Sequence, residues 1–151
     1  LQRLLRPVST ILKKELFWIP FFGWALYFMH PVAINRNRPK EALKQILSQG
    51  LQRLASGKNV LIYPEGTRVP PGKIGRYGRS GAALAIAAGV QIIPVANNAG
   101  HCWPAHAFIK WPGQIHISIG EPIETNSDDD SRLLTERIKN VIEATQKTLQ
   151  H

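Results

Sequence analysis

Residues 32–63 carry the pattern that most narrows the fold: a short apolar run, a helical stretch, then a second apolar run. Val32 to Ile34 reads as a short strand. Pro39 suits the first position of a helix, where its missing N–H is not needed, and Leu43, Ile46, Leu47, Leu51 and Leu54 recur at helical spacing to about Ala55. Gly57 stands where a C-terminal cap belongs, and Asn59 to Tyr63 forms the next strand. Val8 to Leu12, after Pro7, is an earlier strand. Ser80 to Ala88 is a helix of small residues closed by Gly89, and Gln91 to Val95 is a fourth strand. Phe108 to Ile119 reads as a hairpin around Pro112-Gly113. Asp128 to Asp130 begin a last helix whose face Leu134, Ile138, Val141, Ile142 and Leu149 packs inward. Strands and helices alternating in this order predict an α/β fold with a mostly parallel central sheet flanked by helices, plus a C-terminal hairpin and helix. Ligands of such sheets bind beyond the carboxyl ends of the strands, which directs attention to the loops after Ile34, Tyr63 and Val95.

The 151 residues suffice for one domain with a real core, and no linker or repeat divides them. One cysteine, Cys102, excludes a disulfide framework within the chain. Charge is uneven. Residues 1–79 hold fourteen Lys/Arg against Glu15, Glu41 and Glu65, whereas residues 80–151 hold five against seven acids. A basic half implies an anionic partner: nucleic acid, an anionic membrane surface or a phosphorylated substrate. The plainer alternative is a generally basic, solvated surface. Phe17 to Met29 is uncharged and rich in aromatics, and it follows Lys13 and Lys14. A spanning helix needs about 20 apolar residues, so this run is too short to cross a bilayer and suits the membrane interface instead. A core helix is its alternative reading.

Two loops carry candidate chemistry. Tyr63-Pro64-Glu65-Gly66-Thr67-Arg68 sets a carboxylate and a guanidinium three residues apart around a glycine, a turn able to present both at a strand end. Arg grips phosphate through two parallel hydrogen bonds. Glu65 would hold that Arg, fix the loop or orient a substrate; a purely structural Glu–Arg pair is the alternative. Ile34-Asn35-Arg36-Asn37-Arg38-Pro39 places two Arg just before a helix N-terminus, where free N–H groups and the helix dipole favour an anion. Solvated surface arginines are the alternative there. His101, Cys102 and His106 lack the further ligands of a metal site, so no metal is expected. The run Lys73, Arg76, Tyr77, Arg79 has too few aromatics to stack on single-stranded nucleic acid, so no nucleic-acid partner is expected.

Taken together, these blocks resemble the glycerolipid acyltransferases of the lysophosphatidic acid acyltransferase type, within the wider PlsC-like group. Residues 63–68 are similar to that family's Phe-Pro-Glu-Gly-Thr-Arg block, and Ile34-Asn35-Arg36 to its Phe/Ile-Asp/Asn-Arg block. Lys13-Lys14-Glu15-Leu16 with Ile19-Pro20-Phe21-Phe22-Gly23 resembles the stretch preceding the latter. Gly81-Ala82-Ala83-Leu84-Ala85 and Ile92-Ile93-Pro94-Val95 resemble two later landmarks, so the likeness runs in order over roughly residues 9–124.

The resemblance implies a glycerol-3-phosphate acyltransferase-like fold in a single domain, 1–151. It implies acyl transfer from acyl-CoA or acyl carrier protein to the sn-2 hydroxyl of 1-acylglycerol 3-phosphate (lysophosphatidate), giving phosphatidate. Glycerol 3-phosphate or another lysophospholipid is the alternative acceptor, and a non-catalytic anionic-lipid-binding domain the alternative of another class. It assigns the substrate phosphate to Arg36 and the turn Glu65, Gly66, Thr67 and Arg68, with Lys13 a weaker candidate. No cofactor is implied, since the acyl donor is a substrate, and the expected setting is the cytoplasmic face of the inner membrane. The family's general base is a His followed five positions later by an acid. His30 is followed at that interval by Asn35, and His116 with Glu121 lies on an expected strand, where residues five apart face opposite ways. The expectation is therefore that the catalytic pair lies upstream of Leu1, that the chain lacks this N-terminal part, and that alone it does not catalyse.

Overall fold

A computed structural model describes residues 5–29, 31–35, 38–105 and 107–149. The chain forms two compact units, Leu1–Tyr63 and Pro64–His151.

In the first unit, β1 (Val8–Lys13) lies between β2 (Val32–Ile34) and β3 (Asn59–Leu61), parallel to both. Ile11 is in register with Val32, and Val8 with Asn59. Ser9, Thr10 and Ile11 are buried in succession, the mark of a parallel strand covered on both faces. The helix α2 (Pro39–Ala55) begins at Pro39 as the sequence predicts, and buries Ala42 and Ile46 with Val32 and Ile34 of the sheet in the core. Gly57 follows at φ +75°, a left-handed conformation that side chains disfavour, and lets the chain turn into β3.

One device of this unit is absent from the hydrophobic pattern. Strand β2 is an edge, and its outward backbone groups would otherwise lie open. The Gln49 side chain accepts from the Ala33 N–H at 3.1 Å and donates to the Ala33 carbonyl at 3.0 Å, imitating a neighbouring strand. Gln45, one turn earlier on the same helix face, accepts from the Asn35 N–H at 2.9 Å.

Between β1 and β2, a 3-10 turn over Lys14–Trp18 leads to the short helix α1 (Phe22–Phe28), which buries only Gly23 and Leu26. Its remaining large side chains face outward: Trp18 and Phe28 are each 79% exposed, with Phe21, Trp24 and Tyr27 close behind. That distribution is the reverse of a core helix. Among the described residues, no helix is long and apolar enough to cross a membrane.

The second unit contains α3 (Ser80–Ala88), β4 (Val95–Asn97), α4 (Ala99–Cys102), β5 (Ile117–Ile119) and α5 (Ser131–Thr148). Gly89, at φ +62°, closes α3 by donating its N–H to carbonyls of the last turn, as expected from its position. Asp130 caps α5, its side chain accepting from the N–H groups of Arg132 (2.6 Å) and Leu133 (3.3 Å). These bonds, and lesser attractions to Arg132 and Arg79, hold the Asp130 carboxyl below its usual range. Ala82 leaves room for α5 to approach, and it forms a core with Ile123, Leu134 and Ile138, with Ile142 packed against them. Val141 and Leu149, placed on that inward face by periodicity, are not buried.

The strand expectations need correction here. The fourth strand starts later, at Val95, because Pro94 has no N–H to give a ladder; Gln91 to Ile93 contributes only a bridge between Ile92 and Ile123. Among the described residues β4 pairs only with β5, antiparallel, with Ala96 opposite Ser118. The hairpin over Phe108–Ile119 around Pro112-Gly113 does not form. Its second arm instead finds β4, while Trp111 donates its N–H to the Cys102 carbonyl at 2.8 Å.

Candidate functional site

The 63–68 turn, the strongest candidate in the sequence, opens the second unit along the chain after β3. Its conformation depends on Gly66, whose φ of +66° suits a residue without Cβ. That bend leaves Thr67 and Arg68 exposed, while Glu65 is half-buried. The rest of the loop folds back over the turn. The Gly78 N–H donates to the Pro64 carbonyl at 2.7 Å, closing residues 64–78 into a compact loop. Gly75 lies so close beneath Glu65 that an added Cβ would stand 3.2 Å from its Cγ and 2.6 Å from Val69 Cγ2. The absence of side chains at Gly66, Gly75 and Gly78 is thus what allows the turn and its closure.

Among the described residues no ion pair joins Glu65 to Arg68; the ion pairs are Arg38–Glu41 and Lys139–Glu136. The structural Glu–Arg pair is therefore not what holds the turn. Burial and the charge of Glu143 both raise the Glu65 carboxyl above its ordinary 4.5, burial being the larger cause. Glu143 in turn accepts a hydrogen bond from the buried Tyr77 hydroxyl at 3.0 Å. Burial first, then this bond and the charges of Glu143 and Glu65, hold the Tyr77 hydroxyl well above its usual range. The result is a turn with a cation displayed outward and a carboxyl tucked inward beside a second acid. Such an arrangement leaves the Arg68 guanidinium accessible to an anion from solvent.

In the first unit, Lys13 ends β1, in register with Ile34, and is exposed. Arg36 lies outside the described residues. Arg38 is described: it precedes α2 at the N-cap position, and its guanidinium is 2.9 Å from Glu41, so a neighbour one turn on engages its charge. His116 is exposed just before β5, and its N–H is bonded to the Asn98 side chain at 2.8 Å. Glu121 is likewise exposed, after β5. Cys102 is a half-buried free thiol, and His106 lies outside the described residues. Among the described residues no three His, Cys, Asp or Glu side chains gather as a metal site would require.

Tyr77 and Glu143 escape the sequence-based selection. Tyr77 stands in a basic run that suggests surface, and Glu143 on a helix whose apolar face draws attention elsewhere. Their partnership spans 66 positions, and no local pattern announces it.

The acyltransferase family profile matches residues 1–98. The chain is 48% identical over 122 residues to the 1-acyl-sn-glycerol-3-phosphate acyltransferase of Pseudomonas aeruginosa, covering 81% of this chain and 48% of that protein. It is 33% identical over 127 residues to the 1-acyl-sn-glycerol-3-phosphate acyltransferase CHLREDRAFT_174358 of Chlamydomonas reinhardtii, covering 83% of this chain and 38% of that one. The chain thus spans about half or less of the length of these curated relatives. Its fold is that of the crystal structure of the 1-acyl-sn-glycerophosphate (LPA) acyltransferase PlsC from Thermotoga maritima. The TM-score is 0.76 at 24% identity, over 94% of this chain and 56% of that one.

Proposed function

The chain belongs to the acyltransferase family, and from that premise we propose that the protein transfers an acyl group to the sn-2 hydroxyl of 1-acylglycerol 3-phosphate, giving phosphatidate. The acyl donor is a thioester, acyl-CoA or acyl carrier protein, and it is a substrate; no metal or cofactor is invoked. The acceptor oxygen attacks the thioester carbonyl, the C–S bond breaks and an ester C–O bond forms. The hydroxyl proton passes through a general base, and the thiol leaves. Arg68, Thr67, Glu65, Lys13 and Arg36 hold the acceptor and take no part in the proton transfer.

The observation that carries this reading is the 64–78 loop, which displays the exposed Arg68 from a turn whose shape Gly66 and Gly75 permit. Arg68 takes the acceptor phosphate through two parallel N–H···O bonds, with Thr67 beside it and Glu65 fixing the turn. Lys13 and Arg36 are assigned phosphate contacts by the likeness of their motifs alone. The names of the relatives support the same acceptor.

The membrane setting has its own support. Trp18, Phe21, Trp24 and Phe28 are exposed around α1, and Lys13 and Lys14 precede them, an arrangement suited to an anionic lipid surface. We place the protein at a membrane surface for this reason, and assign the cytoplasmic face of the inner membrane from the family likeness alone. The same feature favours the second reading, a domain that binds anionic lipid without catalysis.

The deciding assay supplies the full-length protein with labelled acyl-CoA or acyl carrier protein and a panel of acceptors: lysophosphatidate, glycerol 3-phosphate and other lysophospholipids. Phosphatidate formation is expected, and Arg68→Ala should raise the lysophosphatidate KM far more than the donor KM, with Arg68→Lys intermediate. Transfer to a different acceptor would replace the substrate assignment. Vesicle binding with no transfer from either donor would establish the non-catalytic reading.

A further inference from the structure

We propose that Tyr77 and Glu143 are positioning residues, whose hydrogen bond anchors the Glu65–Arg68 turn to α5 in the shape that receives the acceptor phosphate. This deepens the proposed function and rests on it for the identity of the ligand.

The 64–78 loop is closed on itself by the 2.7 Å Gly78–Pro64 bond, by a 3.1 Å bond from the Lys73 N–H to the Pro70 carbonyl and by the close approach of Gly75 to Glu65. Pro71 lies against Gly100 of α4, but none of these contacts ties the closing end of the loop to a regular element. Tyr77 does, since it directly precedes the closing Gly78, is only 8% exposed, and reaches Glu143 of α5. Helix α5 is itself fixed on α3 through Leu134, Ile138 and Ala82. The chain of contacts therefore runs from the packed core, through Glu143 and Tyr77, to the residue pair that closes the turn.

The choice of partner points beyond stability. A buried phenol needs one acceptor, and any carbonyl or amide oxygen would serve. Here the acceptor is a carboxylate whose charge also acts on half-buried Glu65. Two like charges in one partly desolvated place oppose folding unless something else is gained. The gain is control over Glu65: Glu143 both receives the anchor and repels the ionised Glu65 carboxylate. The ionisation of Tyr77 is opposed by burial and by both acids.

The test uses Tyr77→Phe and Glu143→Gln in the full-length protein with three readouts. Hydrogen exchange over residues 64–78 should quicken in Tyr77→Phe, while exchange in α3 stays protected. The lysophosphatidate KM should rise roughly three- to tenfold, the effect of one lost hydrogen bond, with kcat and donor KM changing less. In Glu143→Gln the pH profile of the Glu65 carboxyl itself, followed by NMR, should move to lower pH, because a repelling charge is gone. Gln retains an acceptor for Tyr77, so this variant keeps the anchor and isolates the charge. A purely structural role predicts lower melting temperatures with unchanged KM and pH profile, and that result overturns the proposal. So does unchanged loop exchange in Tyr77→Phe. If the unsubstituted protein transfers no acyl group, the functional reading fails by itself. The anchor is then judged by loop exchange and by binding of glycerol 3-phosphate, and it is lost if Tyr77→Phe matches the parent.

Discussion

Gly23→Ala offers a prediction in which two physical effects have opposite signs. Within a helix, replacing Gly by Ala ordinarily stabilises by about 0.5–1 kcal/mol, because Ala loses less backbone freedom. At Gly23 the new Cβ would stand 2.1 Å from the Phe17 carbonyl oxygen and 2.7 Å from the Phe17 carbonyl carbon. Both are backbone atoms, which no rotamer change relieves. The start of α1 and the preceding 3-10 turn must part by roughly 1 Å to restore ordinary contact. This strains the Gly23 N–H bond to the Ile19 carbonyl, now 2.7 Å, and loosens the burial of Leu26. Overpacking of this kind costs about 1–3 kcal/mol, more than the propensity gain. The expected net is a destabilisation of about 1–2 kcal/mol, or a melting temperature lower by roughly 2–8 °C. Differential scanning calorimetry of the purified protein reads it, and proteolysis near residues 17–23 should quicken. A Gly23→Ala protein that melts at or above the parent temperature would falsify the close approach inferred here.

Three further expectations follow from particular contacts. Burial and Glu143 raise the folded-state pKa of Glu65, so its ionisation opposes folding at neutral pH and the penalty disappears once the carboxyl is protonated in both states. Glu65→Gln should therefore melt above the parent near neutral pH, the gap closing as pH falls toward 4.5; a parent that is the more stable at neutral pH contradicts this. Gln49→Ala removes both side-chain partners of Ala33 on the β2 edge, and urea unfolding should show a loss of about 1–3 kcal/mol. An unchanged midpoint would mean the edge is satisfied in another way. Phe21 is held at φ +61° with its ring 77% exposed, so Phe21→Gly should relieve about 1 kcal/mol of backbone strain while weakening cosedimentation with anionic vesicles. Unaltered vesicle binding would remove α1 from the lipid surface.

What the sequence determines here is what local periodicity and local chemistry determine. Helix α2 is legible from Pro39 to Ala55, and α3 to its Gly89 cap, because 3.6-residue periodicity and capping residues act within a few positions. The three parallel strands are legible for a related reason, since short apolar runs joined by a helix have few other ways to bury themselves. The 63–68 turn declares itself through Gly66, whose backbone conformation few other residues tolerate. Tertiary structure decides the rest. The second arm of the expected hairpin pairs with β4 because strand pairing is settled by which edge is free in space, and Pro112-Gly113 does not override that. Gln45 and Gln49 read as solvated helix positions until β2 is set beside them. Glu65 looks like a partner for Arg68, three residues away, yet what acts on its carboxyl is burial first and then the charge of Glu143 on α5. Charges act through space and burial, and neither follows sequence distance. The Glu65 carboxyl was visible in the chain, while its environment came only with the fold.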